Sequence, residues 1–205
     1  MVNWNGKYSS TDGLLYGDKP SGIIDLAIEK YPDRLGHILC LGDGEGRQSR
    51  ALAERGFNVT AVDLSEVATS RARQQDLNRG LVVNRLIGNA AHPPELETAI
   101  DSCFLCFLHF SVAERQACLS WLQQAFPLGG LLFFEGFGPD QPHYRAKYMS
   151  GGPEQADLLY DLRILRDELA EFTIHHEVCA EVVLDDGPGH QGLAQITQMI
   201  CEKVR

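Results

Sequence analysis

The sequence lacks an excess of positive charge. Eighteen lysines and arginines stand against 28 aspartates and glutamates, which gives a formal net charge of −10. An acidic chain has no bulk electrostatic attraction for nucleic-acid phosphates or for an anionic membrane surface. We therefore expect neither nucleic acid nor membrane as a partner, and a small-molecule substrate instead.

Long hydrophobic runs are also missing. No apolar stretch approaches the roughly 18 residues that a membrane-spanning helix requires. Residues 1–16 lack the basic-then-apolar organisation of a secretory signal. The sequence therefore predicts a soluble cytoplasmic protein, either a monomer or a homodimer.

The six cysteines lack the spacing of a zinc site. Cys103 and Cys106 form a C-x-x-C, but no second pair stands at zinc-ligand distance. Most of the cysteines lie in or beside apolar runs, which is typical of buried, reduced thiols. We predict no metal site and no disulfide framework.

What the sequence does contain is an alternation of strands and helices. The patterns predict one domain of the α/β class with a mostly parallel sheet. A terminal hairpin around a turn at 185–189 makes one strand antiparallel, and residues 136–152 read as a long loop. The predicted helices cover residues 21–30, 45–55, 65–78, 113–126 and 154–171. The predicted strands cover residues 37–41, 58–63, 81–87, 99–108, 130–135, 172–184 and 193–202.

A glycine-rich loop joins the first strand to the next helix. Gly42, Gly44 and Gly46 permit a sharp turn and a close approach of backbone to a ligand, and the helix adds free N–H groups. Asp63 ends the second strand, where a carboxylate can accept hydrogen bonds from both ribose hydroxyls of a nucleoside. These features predict a nucleoside site.

The spacing of the loop distinguishes between nucleosides. The third glycine comes one residue earlier than in the G-x-G-x-x-G of dinucleotide enzymes, and Arg47 takes the other position. Asp43 and Glu45 would repel a pyrophosphate and tolerate a positively charged sulfonium. S-adenosylmethionine is therefore the predicted cofactor, and an NAD-dependent oxidoreductase remains an alternative.

The ordered set of motifs resembles class I S-adenosylmethionine-dependent methyltransferases, and it is similar to their small tellurite-resistance and thiopurine branch. The resemblance implies a Rossmann-like three-layer sandwich with a seven-stranded sheet in the order 3-2-1-4-5-7-6, strand 7 being antiparallel. It also implies a single methyltransferase domain over 1–205, with 1–34 as a cofactor-covering segment and 35–205 as the core. The matching segments are 42–49, 62–65, 88–90, 122–130, 131–136, 151–153 and 190–192, together with Trp4, Tyr8, Tyr16, Gly17 and Pro20.

The same resemblance implies the cofactor-binding residues. Glycines 42, 44 and 46, with Asp43, would line the methionine end, and Asp63 would hold the ribose. Asn89 stands where an aspartate is commoner, but its amide carbonyl could make the same contact. Many relatives carry an acidic residue where Cys40 stands, which leaves the anchoring of the loop open. Leu64, Asn89 and Ala90 would border the adenine, and Tyr16 would cover the cofactor.

Methyl transfer is an in-line displacement in which a protein mainly positions the reactants. Candidates for contact with the acceptor stand near the carboxyl ends of strands, where α/β sheets bind ligands. We predict catalytic roles for His109, Glu135 and His190, with a structural hydrogen-bonding role as the alternative for Glu135. The predicted function is methyl transfer to a small molecule, with a thiol or chalcogen oxyanion as the hypothesis; the alternative is a non-catalytic binder of S-adenosylmethionine or S-adenosylhomocysteine. The loop residues predicted to cover the substrate are His143, Tyr144 and Arg145.

Overall fold

Seven strands form one sheet in the order β3-β2-β1-β4-β5-β7-β6 in the computed structural model, which describes residues 3–205. β7 runs antiparallel to β5 and β6, and the other pairs in the sheet are parallel. The order and direction predicted for the sheet are confirmed. The strands are β1 (His37–Leu41), β2 (Asn58–Asp63), β3 (Asn84–Ile87), β4 (Ser102–Cys106), β5 (Leu131–Phe137), β6 (Phe172–Gly187) and β7 (His190–Lys203).

Local signals in the sequence set the ends of several helices. The Ser65 hydroxyl accepts a hydrogen bond from the Ala68 N–H at the start of α4, and Ser111 and Glu114 form a capping box at the start of α5. Gly80 ends α4 in the left-handed conformation. The helices are α1 (Trp4–Ser9), α2 (Gly22–Lys30), α3 (Arg47–Ala53), α4 (Glu66–Arg79), α5 (Val112–Ala125), α6 (Gln141–Tyr148) and α7 (Leu162–Glu168).

Apolar side chains cover both faces of the sheet. On one face Phe104 and Phe133 stack with ring centroids 4.6 Å apart, beneath α2 and α3. On the other face Leu105 packs with residues of α5 and α7. All five residues of β4 are buried, as expected of a central parallel strand. This three-layer packing leaves the carboxyl ends of the strands open for a site.

The tail between β5 and β6 differs from the prediction. Residues 136–152 contain α6, with Pro142 in the first helical turn, where a missing N–H is tolerated. The single helix predicted over 154–171 is divided into a 3-10 turn at Ala156–Leu158 and α7. The division occurs because the Tyr160 N–H bonds to the Phe137 carbonyl, which holds this part of the chain extended against β5. Tertiary hydrogen bonding thus overrides the helical periodicity.

The boundaries of the five strands β3 to β7 also differ. β3 and β4 begin three residues later than predicted and β4 ends earlier, because ladder pairing starts at Asn84 and at Ser102. The hairpin turn is tighter than predicted: Gly187 pairs with His190, so only Pro188 and Gly189 remain outside the ladder. The tip of the hairpin is therefore held close to the sheet.

The covering segment predicted over 1–34 is more ordered than its polar composition indicates. It holds α1 and α2, and Tyr8 and Leu15 are buried with Ala68 of α4. Residues 1 and 2 of that segment lie outside the described residues. Among the helices of residues 3–205, none combines the length and the hydropathy needed to cross a membrane.

All six cysteines are free thiols. Five are buried as expected, but Cys179 is exposed because it lies on the edge strand β6. Within residues 3–205 no cluster of three or more histidine, cysteine, aspartate or glutamate side chains is arranged to hold a metal ion.

Candidate active site

A cavity that opens to solvent lies at the carboxyl ends of β1, β2 and β4. Ligands of α/β sheets bind in this position. The wall brings together ten of the residues singled out in the sequence: Tyr16, Gly42, Asp43, Gly44, Asp63, Leu64, Asn89, Ala90, His109 and His190.

The glycine loop requires its glycines. Gly42 and Gly44 have φ angles of 65° and 55°, a conformation that side chains disfavour. A β-carbon on Gly42 would lie 2.4 Å from a Leu108 methyl carbon, and one on Gly44 would lie 2.5 Å from the Tyr8 hydroxyl. Gly46 lies behind the loop, where a β-carbon would meet the Arg85 guanidinium at 2.5 Å. Gly46 thus serves packing, and Gly42 and Gly44 form the cavity wall.

Asp63 joins the loop to β2. Its Oδ2 accepts a hydrogen bond from the Gly44 N–H at 2.7 Å, and its Oδ1 accepts one from the Ser65 N–H at 2.8 Å. Burial raises the pKa of this carboxyl above its usual value, against the opposing effect of these two N–H donors. Each carboxylate oxygen keeps a second lone pair. Asp63 can therefore accept further hydrogen bonds from a ligand in the cavity.

The acidic residues of the loop are neutralised, which corrects one expectation from the sequence. The Asp43 carboxylate pairs with the buried Arg85 at 2.8 Å and accepts from the Ser49 hydroxyl at 2.5 Å. Glu45 pairs with Arg71 at 2.9 Å. With their charges compensated, Asp43 and Glu45 do not provide the predicted repulsion of a pyrophosphate. Asp43 instead anchors the loop, which answers the question raised by the missing acid at Cys40.

Arg85 and Asp76 complete this buried network. The Arg85 Nε donates to Asp76 at 2.6 Å, and the Arg85 side chain is only 2% exposed. A buried guanidinium is tolerated because both neighbours are carboxylates, which raise the pKa of Arg85 against the effect of burial. The network ties α4 and β3 to the glycine loop.

The far end of the cavity is aromatic. The His190 ring lies 4.5 Å from the Tyr16 ring and 4.6 Å from the Phe107 ring, and His109 stacks between Trp4 and Phe137. Burial lowers the pKa of His190 to about 4 and that of His109 to about 3. Neither Nδ1 has a hydrogen-bond partner within the described part of the chain. Both imidazoles are thus neutral and retain unused hydrogen-bonding capacity.

Arg47 holds three segments together. Its guanidinium pairs with Asp186 of the hairpin tip at 2.8 Å and donates to the carbonyls of Tyr16 and Lys19 in the N-terminal segment. The sequence marked Arg47 only as a departure from the dinucleotide motif. Its structural contribution could not be predicted from the sequence, because its partner Asp186 is 139 positions away in the chain.

Besides Gly46, four predicted residues are not brought to the cavity. Glu135 is 3% exposed and accepts hydrogen bonds from the Ile23 N–H at 3.1 Å and the Gln198 amide at 2.6 Å. This is the structural role weighed as its alternative. His143, Tyr144 and Arg145 lie on α6, where Tyr144 bonds to Glu181 and Arg145 pairs with Glu154. They do not border the cavity, and the segment is a helix packed against β7.

Asn89 borders the cavity with its amide partly engaged. Its carbonyl oxygen accepts the Ala91 N–H at 2.9 Å, as in an Asx turn. The amide N–H₂ is the donor that Asn89 can still offer. Several lining residues were missed in the sequence, because apolar residues carry no signal that separates a cavity wall from a core. They include Cys106, Phe107, Leu108 and Phe110.

Cys106 borders the cavity at the end of β4. Burial raises the pKa of its thiol well above the usual value, and the neighbouring Glu135 acts in the same direction. The group is therefore a neutral thiol.

Comparison with known proteins finds a family match over part of the chain. Residues 38–130 match the family profile described as a methyltransferase domain. No curated protein sequence matches the chain. The sheet order, the glycine loop and the acid at the end of β2 define a Rossmann-like nucleoside-binding fold.

Solved structures agree with this fold over nearly the whole chain. One, from work on the conversion of a disulfide bond into a thioacetal group during echinomycin biosynthesis, is 20% identical with a TM-score of 0.79 and covers 98% of this chain and 90% of its own. A S-adenosylmethionine-dependent methyltransferase from Methanosarcina mazei is 19% identical with a TM-score of 0.70, covering 91% and 99%. TehB from Haemophilus influenzae is 16% identical with a TM-score of 0.67, covering 98% and 67%. At these identities the likeness establishes the fold.

Residues 38–130 thus match a methyltransferase-domain profile, and the chain has the Rossmann-like fold of S-adenosylmethionine-dependent methyltransferases.

The buried network predicts a large cost for removing Arg85. Arg85→Met leaves Asp43 buried without its cation and Asp76 with only the longer Arg50 contact at 3.9 Å, and should lower the free energy of unfolding by about 3–5 kcal/mol. Urea denaturation followed by circular dichroism measures the change. The matched control is Arg163→Met in the exposed Arg163–Asp161 pair, which should cost less than about 1 kcal/mol. Equal effects of the two substitutions would contradict the network.

The two cavity histidines predict a stability that declines on acidification. Because their folded pKa values lie below the ordinary 6.5, the unfolded chain binds more protons between about pH 4 and 6.5. Each should cost on the order of 1–2 kcal/mol of unfolding free energy from pH 7 to pH 5. His190→Phe should flatten this dependence in urea titrations, and His143→Phe, outside the cavity, should not. A slope unaffected by His190→Phe would show that this imidazole is not held neutral.

Proposed function

We propose that the cavity binds S-adenosylmethionine along the glycine loop and Asp63, and that the methyl group is passed to a small-molecule acceptor at the aromatic end. The observation that carries this proposal is one continuous cavity that joins Asp63 to His109 and His190. The residues fit the cofactor. The loop has no side chains at Gly42 and Gly44 where backbone must approach a ligand, and Asp63 retains acceptor capacity.

Different residues along the wall bind different parts of the cofactor. Asp63 accepts from the ribose hydroxyls. Leu64, 49% exposed beside it, offers an apolar surface to the adenine, and the Asn89 amide offers a donor at its edge. Tyr16 covers the cofactor from the N-terminal segment, held there by Arg47.

The bound cofactor supplies a methyl carbon activated by its sulfonium. The chain supplies position and exclusion of water, which account for much of the catalysis of a displacement. Trp4, Phe107 and His190 form an aromatic enclosure at the acceptor end. His109 and His190 are the imidazoles that line this end and can orient an acceptor by hydrogen bonding.

The acceptor that this end favours is a soft nucleophile, a thiol or a chalcogen oxyanion. Polarisable sulfur makes favourable contacts with aromatic rings, and four rings surround His190 and His109. The similar structure associated with conversion of a disulfide into a thioacetal points to sulfur chemistry on this fold.

Removing the Asp63 carboxylate tests the cofactor assignment. Asp63→Ala should weaken binding of S-adenosylhomocysteine by about 10- to 150-fold, because hydrogen bonds to a charged group contribute about 1.5–3 kcal/mol. Calorimetric titration measures the affinity, and circular dichroism confirms folding. Asp63→Asn, which keeps one acceptor oxygen, should have an affinity between those of the wild type and Asp63→Ala. Asp33→Ala, at an exposed position, should bind S-adenosylhomocysteine with normal affinity. Full affinity in a folded Asp63→Ala would refute the ribose contact.

A panel of acceptors tests the chemistry. The wild-type protein with S-adenosylmethionine should release S-adenosylhomocysteine in the presence of thiols or selenite and tellurite, and less or none with amines, phenols and catechols. A strong preference for an amine or phenol would overturn the soft-nucleophile assignment. Binding of S-adenosylhomocysteine with no turnover on any acceptor would favour a non-catalytic binder, and binding of NAD in its place would favour an oxidoreductase.

A further inference from the structure

Lys7 places an ammonium group at the rim of the aromatic end. Its Nζ lies 4.8 Å from the centroid of the Trp4 ring and 5.4 Å from that of Tyr16. Both rings line the cavity, and cation–π contacts of this length hold a lysine head group in place. The charge is thus directed at the cavity mouth.

This charge has no counter-ion in the part of the chain that the structure describes. Lys7 forms no ion pair there, whereas the three ion pairs at the cavity wall each match an arginine with a carboxylate. Asp63 and Glu114 line the same cavity without a cationic partner among the described residues. Arg47 is paired with Asp186, Glu45 with Arg71, and Asp43 with Arg85. Lys7 is the uncompensated cation of the described site.

The charge of Lys7 affects the pKa values of neighbouring groups. Partial burial and the charge of Arg145 lower the pKa of Lys7. Lys7 in turn contributes to the lowered pKa of both His109 and His190. The aromatic end thus places one ammonium group near two neutral imidazoles, each of which carries an N–H donor.

This electrostatic arrangement distinguishes neutral acceptors from anionic ones. A neutral acceptor that had to give a proton to His109 or His190 would create an imidazolium beside Lys7, which like-charge repulsion opposes. An acceptor that enters as an anion cancels the uncompensated charge instead. The second case is the one that the side chains stabilise.

We propose, resting on the function proposed above, that Lys7 is a specificity-determining residue and that the acceptor enters the cavity as an anion, its charge bound by the Lys7 ammonium. In the transfer the electron pair of the anion forms the bond to the methyl carbon. The carbon–sulfur bond of the sulfonium breaks, and its electron pair stays on sulfur. One positive and one negative charge disappear, and the protein has no proton to remove.

Binding of a matched pair of probes tests the proposal without turnover. The protein saturated with S-adenosylhomocysteine is titrated with 4-nitrothiophenolate, an anion at neutral pH, and with the neutral 4-nitrotoluene. The wild type should bind the thiolate at least about tenfold more tightly, as expected for a hydrogen bond to a charged group. Lys7→Met, which keeps the apolar stem but removes the charge, should lose this preference, and Lys7→Arg should keep it.

Lys147→Met is the control, because the Lys147 ammonium lies over the Tyr148 ring at 5.0 Å but outside the cavity. It should leave both affinities unchanged. Equal binding of the two probes by the wild type, or an unchanged preference in Lys7→Met, would overturn the assignment of Lys7. Failure of the wild type to bind S-adenosylhomocysteine would count against the proposed function itself. If every variant binds S-adenosylhomocysteine with normal affinity, a change in thiolate binding can be assigned to the acceptor site.

Discussion

The ion pair between Asp43 and Arg85 is the interaction on which the site depends. It fixes the glycine loop from behind, where the side chains of both residues are almost fully buried. Asp43 also holds the first turn of α3 through the Ser49 N–H and hydroxyl. Because the loop is anchored on this side, its other side can stay bare of side chains and face the cavity. A buried charge here thus positions backbone rather than a ligand.

The cavity is closed by chain segments that are far apart in sequence. Glu45 accepts the Leu15 N–H at 2.7 Å, Gln48 accepts the Ser21 N–H at 2.9 Å, and Arg50 pairs with Asp18 at 2.8 Å. Each of these contacts joins the start of α3 or the loop before it to the N-terminal segment. Arg47, at the start of α3, adds the ion pair with Asp186 of the hairpin tip. The element that shapes one wall of the cavity therefore also holds the segments that cover it.

The sheet could be predicted because its signals are local and repeated. Apolar strands, glycine turns and serine caps such as Ser65 and Ser111 each act within a few residues. The break at Tyr160 in the helix predicted over 154–171 could not be predicted, because it depends on a tertiary contact with β5. Helix α6 could not be predicted either, because it is stabilised by contacts with β7. In the site, the glycines and Asp63 could be predicted, because together they form a recognisable sequence motif. The neutralised state of Asp43, the exclusion of Glu135 and the closing role of Arg47 depend on partners 42, 112 and 139 positions away.

Cys106 bears on how a protein of this class avoids modifying itself. A side chain that borders a cavity for an alkylating cofactor competes with the substrate if it is nucleophilic. Only the thiolate of cysteine is reactive, and the burial of Cys106 keeps its proton in place. Five of the six thiols share that burial. Apolar packing thus keeps the sulfur at the cavity wall in its unreactive thiol form while it also stabilises the core.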